Sequence, residues 1–196
     1  MQLISETRQP LPARPGQPAR DDYAYRREGT ANLFLFVQPL RGWRHVNVTA
    51  HRTKHDFAMQ MQELVNVHFP EADVICLVVE NLNTLPPAAL YETFAPAGAR
   101  RSTRKLEWHY TPKSVSWLNM AKCEFAVRTA QCLDRRIPYI AMLCHEITAW
   151  QAARNHNKTK INWRFHTTDA RTTLKRLYPS ASGEGRLPER ERMQAA

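Results

Sequence analysis

The sequence predicts a mixed α/β domain, a sheet flanked by helices, on three observations. TANLFLFVQPL and GWRHVNVTA are two apolar-rich segments joined through Pro39 to Gly42, the pattern of a β-hairpin. VICLVV, residues 74–79, is a continuous apolar run of strand length, as for a strand covered on both faces. Segments between and after these carry apolar residues at spacings of three and four, the helix period. The chain has 196 residues, 43% hydrophobic and 23% charged, enough to bury a core and neither disordered nor fibrous in composition.

The elements follow in order. Residues 1–22 are expected to be an irregular lead-in, because Pro10, Pro12, Pro15, Gly16 and Pro18 exclude a long helix or a central strand. In the hairpin, Arg44, Asn47 and Thr49 are candidates for a solvated face. Next, DFAMQMQELVNVHF places Phe57, Met61, Leu64, Val65 and His68 on one helical side, with Asp56 near the N-cap. After VICLVV come a short helix, LPPAALYETF, with prolines in its first turn, and a short strand, KLEWHY. WLNMAKCEFAVRTAQCLDRR is a long helix that must end before Pro138. IPYIAMLCHEITAWQAARNHN and TDARTTLKRLY are two more helices, and the polar residues 180–196 form a disordered tail.

Twenty-eight Lys and Arg against 18 Asp and Glu give a net charge of +10, which favours a polyanionic partner, nucleic acid above all. The cysteines at 76, 123, 132 and 144 have no metal-finger spacing and read as buried, reduced thiols. No signal-like run opens the chain and VICLVV is too short to span a bilayer, so the expectation is a cytoplasmic protein with no membrane partner.

Hairpin, helix, strand, helix, strand, helix is the order of an RNase H-like α/β domain lacking its first, central strand. Longer strings sharpen this. YRREGTANLFLFVQPLRGWRHVNVT, ENLNT, EWHYTPKSVSWLNMAKCEF, QCLDRRIP and INWRFHTTDARTTLKRLYP, covering nearly everything from Tyr23 to Pro179, resemble the DDE catalytic domain of mariner-like bacterial insertion-sequence transposases. The resemblance implies a domain at 23–179, incomplete at its N-terminus, and a parent activity of metal-dependent DNA cleavage and strand transfer. In such enzymes three acids hold two Mg²⁺ or Mn²⁺ ions. One ion activates the attacking oxygen and the other stabilises the leaving one. Hard cations and the charge developing on phosphorus both call for carboxylates.

Carried over position by position, the acids are altered. The first would stand just ahead of Gln2. The second is Glu80, before Asn81, where the family has Asp. The third is Lys122, three residues after Asn119, where the family has Glu. Glu80 remains a weak metal ligand, although its extra methylene moves oxygens in a site that must hold to about half an ångström. An ammonium cannot ligate Mg²⁺. Glu124, two residues on, lies about 200° around the helix and points away. The expectation is an inactive transposase fragment that binds no metal productively.

Arg100, Arg101, Arg104 and Lys105 precede a strand and Lys113 follows it; these are candidates for phosphate contact. Trp117 is a candidate for approach to the active site and its DNA, with a hydrophobic staple at the helix start as the competing reading. A merely solvated charged loop is the competing reading of the basic run. His109 and Tyr110 could also face DNA, or serve as partly buried structural residues. Two further readings are a non-enzymatic remnant that binds DNA without sequence preference, forms a homodimer or associates with an intact transposase, and a chain that does not fold stably.

Overall fold

The structure is a computed structural model that describes residues 1–20, 22–80, 87–111, 119–173 and 175. The chain divides into two compact units, Met1–Ile161 and Asn162–Ala196.

The β-hairpin at the centre of the first unit pairs β3 (Asn32–Gln38) with β4 (Trp43–Thr49), antiparallel, from Asn32↔Thr49 to Gln38↔Trp43. Strand alternation turns Phe34, Phe36 and Trp43 to one side and Leu33, Leu35, Val46 and Val48 to the other. Both faces are therefore apolar and both are covered. On the first lies α1 (Lys54–Glu63), with buried Phe57, Ala58 and Met61, continued by a π-helical segment, Leu64–His68. On the second lie α4 (Met120–Cys132) and α5 (Ile140–His156), the latter presenting buried Leu143, Ile147 and Trp150 at helical spacing. The outer edge of β4 is closed by α5 side chains. Asn155 accepts from Arg44 N at 2.9 Å and donates to Arg44 O at 2.8 Å, and Gln151 accepts from Val46 N at 2.6 Å.

The solvated face expected for the hairpin is thus absent. Arg44 is fully buried, and Asn47 is half-buried with its amide on Glu63. Helix α1 is capped by Thr53, with Asp56 in its first turn, near the N-cap as expected. Thr53 Oγ1 accepts from Asp56 N, and Asp56 at N3 accepts from Thr53 N at 2.7 Å, a reciprocal capping box.

A parallel pair, β5 (Ile75–Val79) and β6 (Leu106–Tyr110), runs in register Ile75↔Leu106 to Val79↔Tyr110. Between them lie α2 (Ala88–Thr93) and α3 (Pro96–Lys105), whose Ala89, Leu90 and Ala99 join the core under α1. Ile75 and Leu77 pack into that core, whereas Cys76 and Val78 are exposed, so β5 is covered on one face and not on two. Cys123 is also exposed and Cys132 and Cys144 are half-buried; all four thiols are free, but none is buried as the sequence suggested. The ladders β3–β4 and β5–β6 share no strand pairing, so the described strands form separate two-stranded ladders, not one continuous mixed sheet.

Part of the segment expected to be irregular is a strand. β1 (Gln2–Glu6) pairs antiparallel with β2 (Tyr25–Thr30), and Ile4 N donates to Ile137 O. Between them Arg14 and Gln17 close a turn around Pro15 and Gly16, whose φ of 77° suits glycine at the third position. Arg136 fastens this ladder to the end of α4, donating to Glu6 Oε2, Ala24 O and Asp22 O.

In the second unit α6 spans Thr167–Thr173, and Asp169 accepts from His166 N at 2.8 Å. The tail at 180–196 lies outside the described residues. No described helix is long and apolar enough to cross a membrane.

Candidate functional site

Glu80 follows the last residue of β5, and the ladder continues beside it where Thr111 N donates to Val79 O at 3.0 Å. Helix α4 starts after Asn119, whose side chain accepts from Ala121 N at 3.0 Å, so the asparagine is an ordinary N-cap. That cap sets the phase of the first turn and brings Lys122 round to the strand end. Lys122 Nζ lies 3.0 Å from Glu80 Oε1. The fold thus brings together Glu80 and Lys122, the two positions that the resemblance assigns to the second and third acids. Their side chains are 27% and 43% exposed, so the pair is a surface ion pair of modest strength.

Glu124 faces the other way. It is 2% exposed, between the hairpin and α5. Its carboxylate receives Arg44 Nε at 3.0 Å, Arg44 Nη2 at 3.3 Å and Arg154 Nη2 at 3.0 Å. Arg44 also donates to Gly42 O and Thr159 O, and burial pushes its guanidinium below the usual arginine range, with Glu124 opposing. Two arginines on one carboxylate hold the start of α4 against β4 and α5, and so hold Lys122 in place. Sequence reasoning read Arg44 as solvated and missed this network. The signal that could have found it is the strand period, which puts Arg44 on the same face as Val46 and Val48.

The basic residues before β6 lie on a helix that the sequence did not suggest. Arg100, Arg101 and Arg104 are exposed on α3, at spacings of three and four that align them on one stripe. They line an open cavity of about 550 Å³ with Ala97 and Lys105. Lys105 differs from the others, since its ammonium donates to Pro70 O at 2.6 Å. His109 Nε2 and Glu107 Oε1 are 2.7 Å apart on the exposed side of β6, and Tyr110 is exposed at its end. Asn81, Lys113 and Trp117 lie outside the described residues.

A strand-end carboxylate facing the first turn of a helix is common to many α/β folds, and it is comparison with family models that narrows the class. The model described as DDE superfamily endonuclease matches residues 1–144, and the chain belongs to that family. Neither the curated proteins nor the solved structures include a match. Membership carries with it an RNase H-like fold, with which the mixed α/β architecture is consistent, and a general function in transposase-like DNA cleavage with divalent metals. The Glu80–Lys122 pair does not fit two such ions, because it offers one carboxylate and one ammonium, and the ammonium has no lone pair to give.

Proposed function

We propose that this chain derives from a mariner-like insertion-sequence transposase and has lost metal-dependent strand cleavage, with a surface ion pair standing where the metals of its relatives would bind. The observation that carries this reading is the 3.0 Å contact between Lys122 Nζ and Glu80 Oε1. Two carboxylates facing each other repel and need divalent cations between them; a carboxylate facing an ammonium is already neutralised. An arriving Mg²⁺ would have to displace Lys122 and tolerate its charge nearby. The test is plasmid nicking in Mg²⁺ and in Mn²⁺. The wild-type chain should not exceed Glu80→Ala, and Mg²⁺-dependent nicking abolished by Glu80→Ala would overturn the proposal.

A second reading, binding to the DNA backbone without cleavage, is favoured by the exposed stripe Arg100, Arg101 and Arg104 on a chain of net charge +10. Three phosphate contacts give a slope of about −2.7 for log K against log salt. Gel-shift titration across salt concentrations measures that slope, and Arg101→Ala should reduce it by about one contact's worth. No shift even at low salt removes this reading.

A further inference from the structure

A second cluster of metal-ligating side chains lies away from Glu80, between the hairpin and the end of α1. Alternation along β4 turns Trp43, His45 and Asn47 toward α1. Glu63 ends that helix and His68 ends the π-helical segment that follows. On an α-helix, residues five apart are about 140° apart and could not share a ligand. The wider π winding, closed by an i→i+5 bond from Phe69 N to Leu64 O, turns residue 68 back over residue 63.

The result is three donor atoms around one point. Glu63 Oε1 is 3.4 Å from His45 Nε2 and 3.5 Å from His68 Nε2, and all three lie within 4.8 Å of one another. Both Nε2 atoms are shut off from solvent, yet neither makes a hydrogen bond. Two buried imidazole nitrogens aimed at a carboxylate without bonding to it are costly as a plain hydrogen-bond cluster. They suit an ion between them. A tetrahedral ion with bonds of 2.0–2.1 Å separates its ligands by about 3.3 Å, close to the spacing here. Asn47 Nδ2 donates to the other carboxylate oxygen, Oε2, at 3.3 Å, the kind of outer partner that orients a ligand. Trp43 stands edge-on to His68 at 5.2 Å, and Phe36 stacks beside His45, forming a partly apolar wall.

We propose that His45, Glu63 and His68 bind one divalent transition-metal ion of the Zn²⁺ class, pinning β4 to the end of α1. Imidazole donors select this class over Mg²⁺ and Ca²⁺, which prefer all-oxygen sites. Three protein ligands leave one position for water. The assignment is independent of whether the Glu80 site cleaves DNA.

The full chain, stripped with a chelator, is titrated with Co²⁺ and with Zn²⁺. One equivalent of Co²⁺ should give the visible absorption of a tetrahedral ion, and Zn²⁺ should remove it stoichiometrically. Zn²⁺ at a hundredfold excess over its Kd should raise Tm by roughly 5–10 °C, whereas Mg²⁺ should not. His68→Gln and His45→Gln should each weaken Co²⁺ binding at least about tenfold, and Asn47→Ala by about 10–100-fold. Circular dichroism of the metal-free variants checks folding, and whichever histidine variant folds carries the test. Absence of both the Co²⁺ absorption and the Zn²⁺ shift in the wild-type chain overturns the assignment. A signal that survives the histidine substitutions but falls in Glu80→Ala also overturns it, because the ion would then sit at the strand end.

Discussion

Lys122 and Glu124 stand two residues apart on α4 and serve opposite sides of it. The lysine reaches Glu80 at the strand end, while the glutamate is buried against Arg44 and Arg154. The carboxylate nearest in sequence to Lys122 is thus committed to the core. Moving it to Glu80 would leave two arginines without their counter-charge in a buried place.

Lys122→Glu should recreate facing carboxylates and make the protein metal-sensitive. Without metal the variant should melt lower, by roughly 2–4 °C, as a weak attraction becomes a repulsion. Mg²⁺ should recover that loss in the variant and leave the wild-type Tm unchanged. Thermal melts with and without Mg²⁺ decide it; a variant indifferent to Mg²⁺ argues against a latent metal position there.

Glu124→Gln keeps the shape of the side chain and removes its charge. Arg44, fully buried, would be left uncompensated, at a cost of roughly 3–5 kcal/mol. Urea unfolding of both proteins measures the difference, and a loss below about 1 kcal/mol would mean that the network is not holding α4.

Gly42→Ala tests the hairpin turn. Its φ is 69°, and a Cβ there would meet Lys158 C and O at 2.4 Å. The backbone term alone is on the order of 1–3 kcal/mol, and the contact is with main chain that cannot swing aside. The variant should unfold at distinctly lower urea, and unchanged stability would contradict the close approach.

The capping box sets an acid limit. Hydrogen bonds from Thr53, side chain and then backbone, hold the Asp56 carboxyl below its ordinary value of 3.8. A depressed carboxylate contributes stability that is present above the unfolded value and is lost as pH falls through the folded one. The wild-type advantage over Asp56→Asn should therefore be constant above about pH 5 and shrink below 3.8. Parallel melts from pH 7 to 2.5 check the sign; an advantage that grew in acid would refute the cap.

What the sequence showed and what it hid follow from how each element is held. The hairpin and helices α1 and α5 were legible because apolar side chains at regular spacing build their cores, whereas α4 was legible from its length and the Pro138 stop although the residues it buries are Glu124 and Arg128. β2 was not, since YRREGT is exposed along its length and is held by backbone pairing with β1. Helix α3 escaped notice because its buried side is only Ala99 and Ser102, between Pro96 and a run of arginines. Arg44 looked solvated because its partner, Glu124, is 80 residues away. The pairing of positions 80 and 122 was implied by family resemblance, whereas His68 passed as one more position on a helical stripe. The π turn that aims it at Glu63 leaves no mark in residue spacing.

The central claim concerns charge at the strand end, and a crystal soaked in Mn²⁺ tests it most directly through anomalous scattering. The account predicts no ion within bonding distance of Glu80 and a Lys122 ammonium still against its carboxylate. Two manganese ions beside Glu80, with Lys122 turned away, would contradict it.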